Sequence, residues 1–236
     1  GSAIKADEIQ IWTDVNGIMS ADPRIVKNAM TLQEVSFAEA AELAYFGAKV
    51  LHPKTILPAM EGNILLKVLN SFEPENKGTI ILPKGVTGSR IVKAIASKKN
   101  ITLINITSTR MLGAYGFLAA LFEVFAKHKT SVDGISTSEV SVSLTVDNGA
   151  PIDSMLDELK IAGDASVLKQ KAIICVVGEG MKTARGIVGK TFTTLAEKNI
   201  NVEMISQGAS KINITFIVDE KDADKAVTIL HEAYFG

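Results

Sequence analysis

Apolar positions in the second half of the chain follow two spacings, and the same succession of spacings occurs twice. Ile101, Leu103, Ile104 and Ile106, and later Ala172, Ile174 and Val176, form alternating runs with the period of a half-buried strand. Behind the first run, Phe117, Leu118, Leu121, Phe122, Phe125 and Ala126 recur at intervals of three and four, which gathers them into one stripe along a helix. Two short strand patterns follow, at 132–136 and 140–146, joined by a small polar turn. Adding 70 to each number maps Ile104 onto Ile174, Met111 onto Met181, Gly116 onto Gly186, Phe122 onto Phe192, Val132 onto Val202, Ser136 onto Ser206 and Thr145 onto Thr215 without a gap. A period of this size with matches at core-type positions reads as one supersecondary unit used twice. The unit is β-α-β-β, the first part of a β-α-β-β-α-β plan. Residues 152–161 and 166–171 supply the missing helix and strand for the first copy, and 222–234 the helix for the second.

The first part of the chain lacks this repetition. EIQIW at 8–12 reads as a strand that opens into TDVNGIMSADPR, a loop punctuated by Asp14, Asn16-Gly17 and Asp22-Pro23. Loops at strand ends are where α/β proteins hold ligands, although composition alone reads this one as an ordinary connection. Ser36 with Glu39 has the capping-box spacing. Its helix is expected to bury Phe37, Ala40, Ala41, Leu43, Ala44 and Phe46 and to stop at Gly47. Lys49 and His52 follow in GAKVLHPKT, before a second helix start at Pro53. A lysine beside a helix N-terminus suits phosphate, but taken alone Lys49 reads as solvated and His52 as a turn residue. A strand at 64–69 precedes the polar stretch SFEPENKG, and three strand-like runs at 79–83, 89–99 and 100–106 lead into the repeat. GEGMKTARG at 178–186 does not have the glycine spacing of a nucleotide loop.

Charge and cysteine content narrow the classes. With 25 basic and 26 acidic residues among 236 there is no electrostatic footprint for nucleic acid. Cys175, the single cysteine, supports neither a disulfide framework nor a metal site of the chain's own. The apolar run 116–126 contains Glu123 and is too short to span a bilayer, so no membrane association is expected and a cytoplasmic location is. The length allows two or three compact domains.

Several stretches together resemble the aspartokinase family: IWTDVNGIMSADPR, FAEAAELAYFGAKVLHPKT, STRML followed three residues later by GFLA, SVD followed two residues later by STSEVSVSLT, and MISQGASKINITFIV. The resemblance covers nearly the whole chain. It implies an α/β (α+β) protein in which residues 1–85 are the C-terminal piece of an amino-acid-kinase α/β sandwich. Two ferredoxin-like βαββαβ ACT domains would follow, at 86–170 (effector-binding) and 171–236 (scaffold and dimer pairing). The activity implied is phosphorylation of L-aspartate to 4-phospho-L-aspartate with ATP and Mg2+, in lysine, threonine and methionine biosynthesis. By the same resemblance Thr13, Asp14, Met19, Arg24, Lys49 and Val50 contact the nucleotide.

The resemblance also implies an amino-acid inhibitor at Met111, Ala114, Gly116, Phe117, Leu118, Ser131, Val132, Asp133, Thr137, Ser138 and Glu139, near the two-fold axis of a homodimer. Backbone N–H groups at 116–118 would take the effector carboxylate, and Asp133 and Glu139 its ammonium groups. Two acids favour lysine over threonine. The family's N-terminal signatures, which supply the aspartate site, are absent, so no catalytic residue is assigned and these residues alone are expected to be inactive. A stand-alone ACT sensor without kinase activity is the alternative.

Overall fold

A computed structural model describes residues 1–46, 53–83 and 90–236. Lys49, Val50 and His52 lie outside the described residues. In the first body the elements are β1 (Glu8–Thr13), β2 (Glu34–Ser36), α1 (Phe37–Phe46), α2 (Pro53–Glu61), β3 (Leu65–Asn70) and β4 (Thr79–Leu82), with sheet order β1-β3-β4-β2. β1 runs parallel to β3, and β3 antiparallel to β4.

The capping box forms as expected: the Glu39 amide donates to Ser36 Oγ at 3.1 Å and the Ser36 amide to Glu39 Oε2 at 2.9 Å. Burial along α1 differs from expectation in two respects. Ala41 and Ala44 are only half-buried, and Glu39 is fully buried. The reason lies far along the chain, where the Glu179 amide donates to Glu39 Oε1 at 2.8 Å.

The second body holds β5 (Ala94–Thr107), α3 (Phe117–Lys127), β6 (Gly134–Thr137), β7 (Ser141–Asp147), α4 (Ile152–Ala162), β8 (Asp164–Val177), α5 (Ile187–Glu197), β9 (Met204–Ser206), β10 (Asn213–Asp219) and α6 (Ala223–Phe235). Its six strands form one sheet in the order β6-β7-β5-β8-β10-β9. The sequence pattern suggests separate strands at 89–99 and 100–106, and at 166–171 and 172–176. Each pair is instead one strand of 14 residues, roughly 45 Å long at ~3.3 Å per residue. The polar residues that suggested breaks mark an irregularity: the β5–β8 register shifts between Lys98 and Leu103, and Asn100 and Gln170 have φ of 60° and 57°.

The two long strands are shared. Residues 101–107 and 164–171 serve the first unit, giving local order β6-β7-β5-β8. The second unit takes 172–177 of β8 as its first strand and 94–98 of β5, upstream of both copies, as its fourth. The helices match across the repeat, 117–127 against 187–197, and each starts behind a left-handed glycine, Gly116 (φ 77°) and Gly186 (φ 81°), a conformation only glycine adopts without cost. The gapless register ends at the next hairpin. Ser136 pairs with Ser143 but Ser206 with Thr215, so the second hairpin is two residues longer and Thr145 has its counterpart at Ile217 rather than Thr215.

Side chains of β8 alternate between two cores. Ile173, Cys175 and Val177 face α1, whose Ala40, Leu43 and Phe46 pack against them, while Ala172, Ile174 and Val176 face α5 and α6. The whole run 172–177 is buried, unlike the half-buried strand its alternation suggested. α3 and α4 cover the first unit through Leu121, Phe125, Met155 and Leu159 against Ile104, Ile106 and Leu144. Each such aliphatic or aromatic side chain contributes about 1.5–3 kcal/mol on burial, so α1 is an integral layer against the six-stranded sheet. Among the described residues no helix is long and apolar enough to cross a membrane.

Candidate functional site

β1 delivers Thr13 and Asp14 to a loop that the rest of the fold pins in place. The Ile18 amide donates to Thr79 Oγ1 at 2.8 Å, and Thr79 Oγ1 donates to the Leu32 carbonyl at 2.6 Å. Ser20 Oγ accepts from the Met30 amide at 2.9 Å, and the Ile95 amide donates to the Ser20 carbonyl at 2.8 Å. Ile18, Ser20 and Ala21 are consequently buried, although the stretch reads as a polar turn. Between this loop and β5 lies a cavity of about 340 Å³, within the size range of small-molecule sites.

Thr13, Asp14, Met19 and Arg24, four of the residues expected to meet nucleotide, line this cavity together. Its opposite wall, missed from sequence, consists of Leu43 and residues 94–97 of β5. The signal was there in outline, since Ala94 and Ala96 are small side chains in an otherwise bulky strand. The Arg24 guanidinium is held by Asp22, with Nε–Oδ1 at 3.0 Å and Nη2–Oδ2 at 2.5 Å. An apolar slot with two hydroxyls, two carboxylates and one fork-shaped cation suits a flat heterocycle carrying an anionic tail. Among the described residues no group of three or more His, Cys, Asp or Glu could hold a metal by itself.

One further contact fixes this loop to the second body. Ser20 Oγ lies 2.9 Å from His231 Nε2 on α6, and the His231 ring, 1% exposed, stacks on Phe235 at 4.4 Å. Burial lowers the His231 pKa and the charge of Arg90 lowers it further, while Glu232 opposes. Below the unfolded value of about 6.5 the unfolded chain takes up a proton that the folded chain refuses, so stability falls as pH falls. The slope is at most about 1.4 kcal/mol per pH unit for one proton. Urea titrations between pH 5 and 7 are expected to show that slope in the parent chain and a flatter one in His231→Gln.

The residues expected to bind an effector fall into two groups. Met111, Ala114, Gly116, Phe117 and Leu118 share one end of the first unit with the 137–139 hairpin, where the Ser108 amide donates to the Val140 carbonyl at 2.8 Å. No side chain caps the start of α3, so its first amides are open to a ligand carboxylate. Ser131, Val132 and Asp133 lie at the other end of β6, about 13 Å from Thr137 at ~3.3 Å per residue.

Asp133 is already engaged: its side chain is 2% exposed, Lys98 Nζ lies 3.1 Å from Oδ2, and the Tyr45 hydroxyl donates to Oδ1. Lys98 also reaches Asp147 at 2.7 Å and sits 5.3 Å over the Tyr45 ring. Burial alone would lower the Lys98 pKa, but the Asp147 and Asp133 carboxylates outweigh it and raise it. Burial, then the Asp133 carboxylate, pushes the Tyr45 phenol up. In the second unit Lys171 bridges the corresponding acids, Glu203 at 3.1 Å and Asp219 at 2.6 Å. Sequence reasoning missed both lysines, since each stands in a short polar stretch that resembles a solvated turn.

Comparison with known proteins places these features. The amino acid kinase family profile matches residues 1–70 and an ACT domain profile matches 174–234. Aspartokinase 3, chloroplastic, of Arabidopsis thaliana is 43% identical over all of this chain and 44% of its own length. The chain thus spans about half the length of the curated relatives it matches. E. coli aspartokinase III superposes with a TM-score of 0.90 in its complex with aspartate and ADP (R-state), at 39% identity over all of this chain and 54% of that one. In the complex with lysine and aspartate (T-state) the TM-score is 0.84 at 40% identity, covering all of this chain and 53% of that one. A putative C-terminal regulatory domain of aspartate kinase from Porphyromonas gingivalis is 36% identical with a TM-score of 0.54, covering 61% of this chain and 97% of that one. By sequence over its whole length and by fold, the chain belongs to the aspartokinase family.

Proposed function

We propose that this chain is the nucleotide-holding and regulatory portion of an aspartokinase that phosphorylates L-aspartate to 4-phospho-L-aspartate with ATP in the cytoplasm. The observation that carries the reading is the shared cavity, into which Thr13, Asp14, Met19 and Arg24 converge from β1 and its loop. Phosphoryl transfer depends mostly on positioning and charge neutralisation, and Arg24, pre-oriented by Asp22, supplies a bidentate donor for phosphate oxygens. Lys49 and Val50 complete the set by family resemblance. Magnesium would arrive with the nucleotide, keeping several waters and using one or two carboxylates; Asp14 and Asp22 are those within the cavity.

Residues 1–85 form the kinase portion in this reading, 86–170 the effector unit and 171–236 its scaffold, with 94–98 paired into the scaffold's sheet. The effector is an amino acid, lysine in preference to threonine, a choice supported by the lysine complex of the E. coli relative. A second copy related by a two-fold axis beside β6 would bring its 137–139 hairpin next to residues 131–133 and unite the two groups of effector residues. It would also cover the exposed apolar side chains Leu112, Tyr115, Leu118 and Phe122.

Titration calorimetry with ADP tests the nucleotide assignment. Binding is expected to weaken about tenfold or more in Arg24→Ala, the loss of charge-assisted bonds, in a sample that sediments as a dimer. Equal affinity in parent and variant would sink the assignment.

A further inference from the structure

We propose that the Tyr45 hydroxyl and the effector's ammonium compete for the same carboxylate, Asp133, so that docking of α1 on the first unit and occupancy of the effector site exclude one another. This rests on the assignment of Asp133 to the effector site. Both Asp133 oxygens are taken, Oδ2 by Lys98 and Oδ1 by the Tyr45 hydroxyl, and with a side chain 2% exposed no third donor can approach. A ligand ammonium therefore has to displace one of the two.

Lys98 is the harder to displace. It is charged and stays tied to Asp147 at 2.7 Å, so moving it separates an ion pair, whereas the Tyr45 hydroxyl carries no charge and leaves none unpaired when it moves. Tyr45 is a neutral donor on a residue 37% exposed, and its hydroxyl also bonds Ser131, another residue of the effector group. Tyr45 is thus the group that yields, and it holds two effector positions until it does.

The second unit shows that this contact is an addition to the scaffold. There Lys171 bridges Glu203 and Asp219 as Lys98 bridges Asp133 and Asp147. Among the described residues the tyrosine contact from α1 is peculiar to the first unit. It also has a route to the nucleotide cavity. Leu43, two residues before Tyr45 on α1, lines that cavity, as does Ser97, the neighbour of Lys98 on β5. A ligand binds one arrangement better than another only through such a differential contact, and the coupling it creates is reciprocal. Tyr45 is therefore a positioning residue: with its hydroxyl on Asp133, α1 stands where it forms the cavity wall.

Tyr45→Phe removes the hydroxyl and keeps the ring beneath Lys98, so the packing of α1 is preserved. Calorimetry with L-lysine and, separately, L-threonine is expected to show binding to Tyr45→Phe about tenfold tighter or more than to the parent chain, and none to Asp133→Asn. The change in ADP affinity on adding amino acid is expected to be smaller in Tyr45→Phe than in the parent chain, because the contact that links the two sites is gone. Equal amino-acid affinity in parent and Tyr45→Phe, with Asp133→Asn inactive, overturns the competition and leaves the effector site standing. Undiminished binding in Asp133→Asn, or no binding of either amino acid to any of the chains, overturns the effector assignment and the competition with it.

Discussion

Glu39→Ala is expected to lower the free energy of unfolding by about 3–5 kcal/mol, because it strips the acceptor from the buried Ser36 amide and the part-buried Glu179 amide at once. The Ser36 amide at 2.9 Å starts α1, and the Glu179 amide at 2.8 Å belongs to the turn that follows β8. The carboxylate is fully buried, so no water replaces it. Glu39→Gln keeps one acceptor oxygen and is expected to recover about half of the loss. Urea unfolding followed by circular dichroism measures both; a loss under about 1 kcal/mol in Glu39→Ala would show that the two amides find other partners.

Phe125→Ala and Phe216→Ala should each cost about 3–5 kcal/mol, the usual result of emptying an aromatic site in a packed core. They test how the two units are joined. Phe125 lies in the first unit, 2% exposed, and Phe216 in the second, 1% exposed with its ring 5.4 Å from Phe192. If the units were independent, each substitution would lower one of two transitions. With β5 and β8 common to both, each is expected to lower the same single transition by roughly 10 °C. Calorimetric traces that split into two peaks in either variant would overturn that reading.

Much of this architecture is legible in the amino-acid pattern, where a signal is local. The Ser36–Glu39 box and the glycines at 116 and 186 depend on neighbours within a few residues, and each stands where the spacing places it; of the α3 stripe, Leu121 and Phe125 are buried, whereas Leu118, Phe122 and Ala126 are exposed. Thr13, Asp14, Met19 and Arg24 were reachable because they sit in one contiguous motif. What escaped the pattern is long-range. Glu39 looks complete with Ser36 alone, and nothing near it announces Glu179. Lys98 and Lys171 look solvated because their acids are distant in sequence. The break suggested at Lys98-Lys99-Asn100 is a bulge inside one strand, since polar residues at a register shift and polar residues in a turn look alike in a single sequence.

The strands shared by the two units carry a consequence for the order in which the chain is made. Residues 94–98 leave the ribosome before every other part of the second unit, yet they find their partners at 173–177 only after the first unit has been synthesised. Until then they are an unpaired strand, and contacts of such long sequence separation slow folding. A cut at 170/171 would leave residues 94–98, the fourth strand of the second unit, on the fragment that carries the first unit. The six-stranded sheet and its helices can therefore be gained, lost or transplanted between proteins only in one piece.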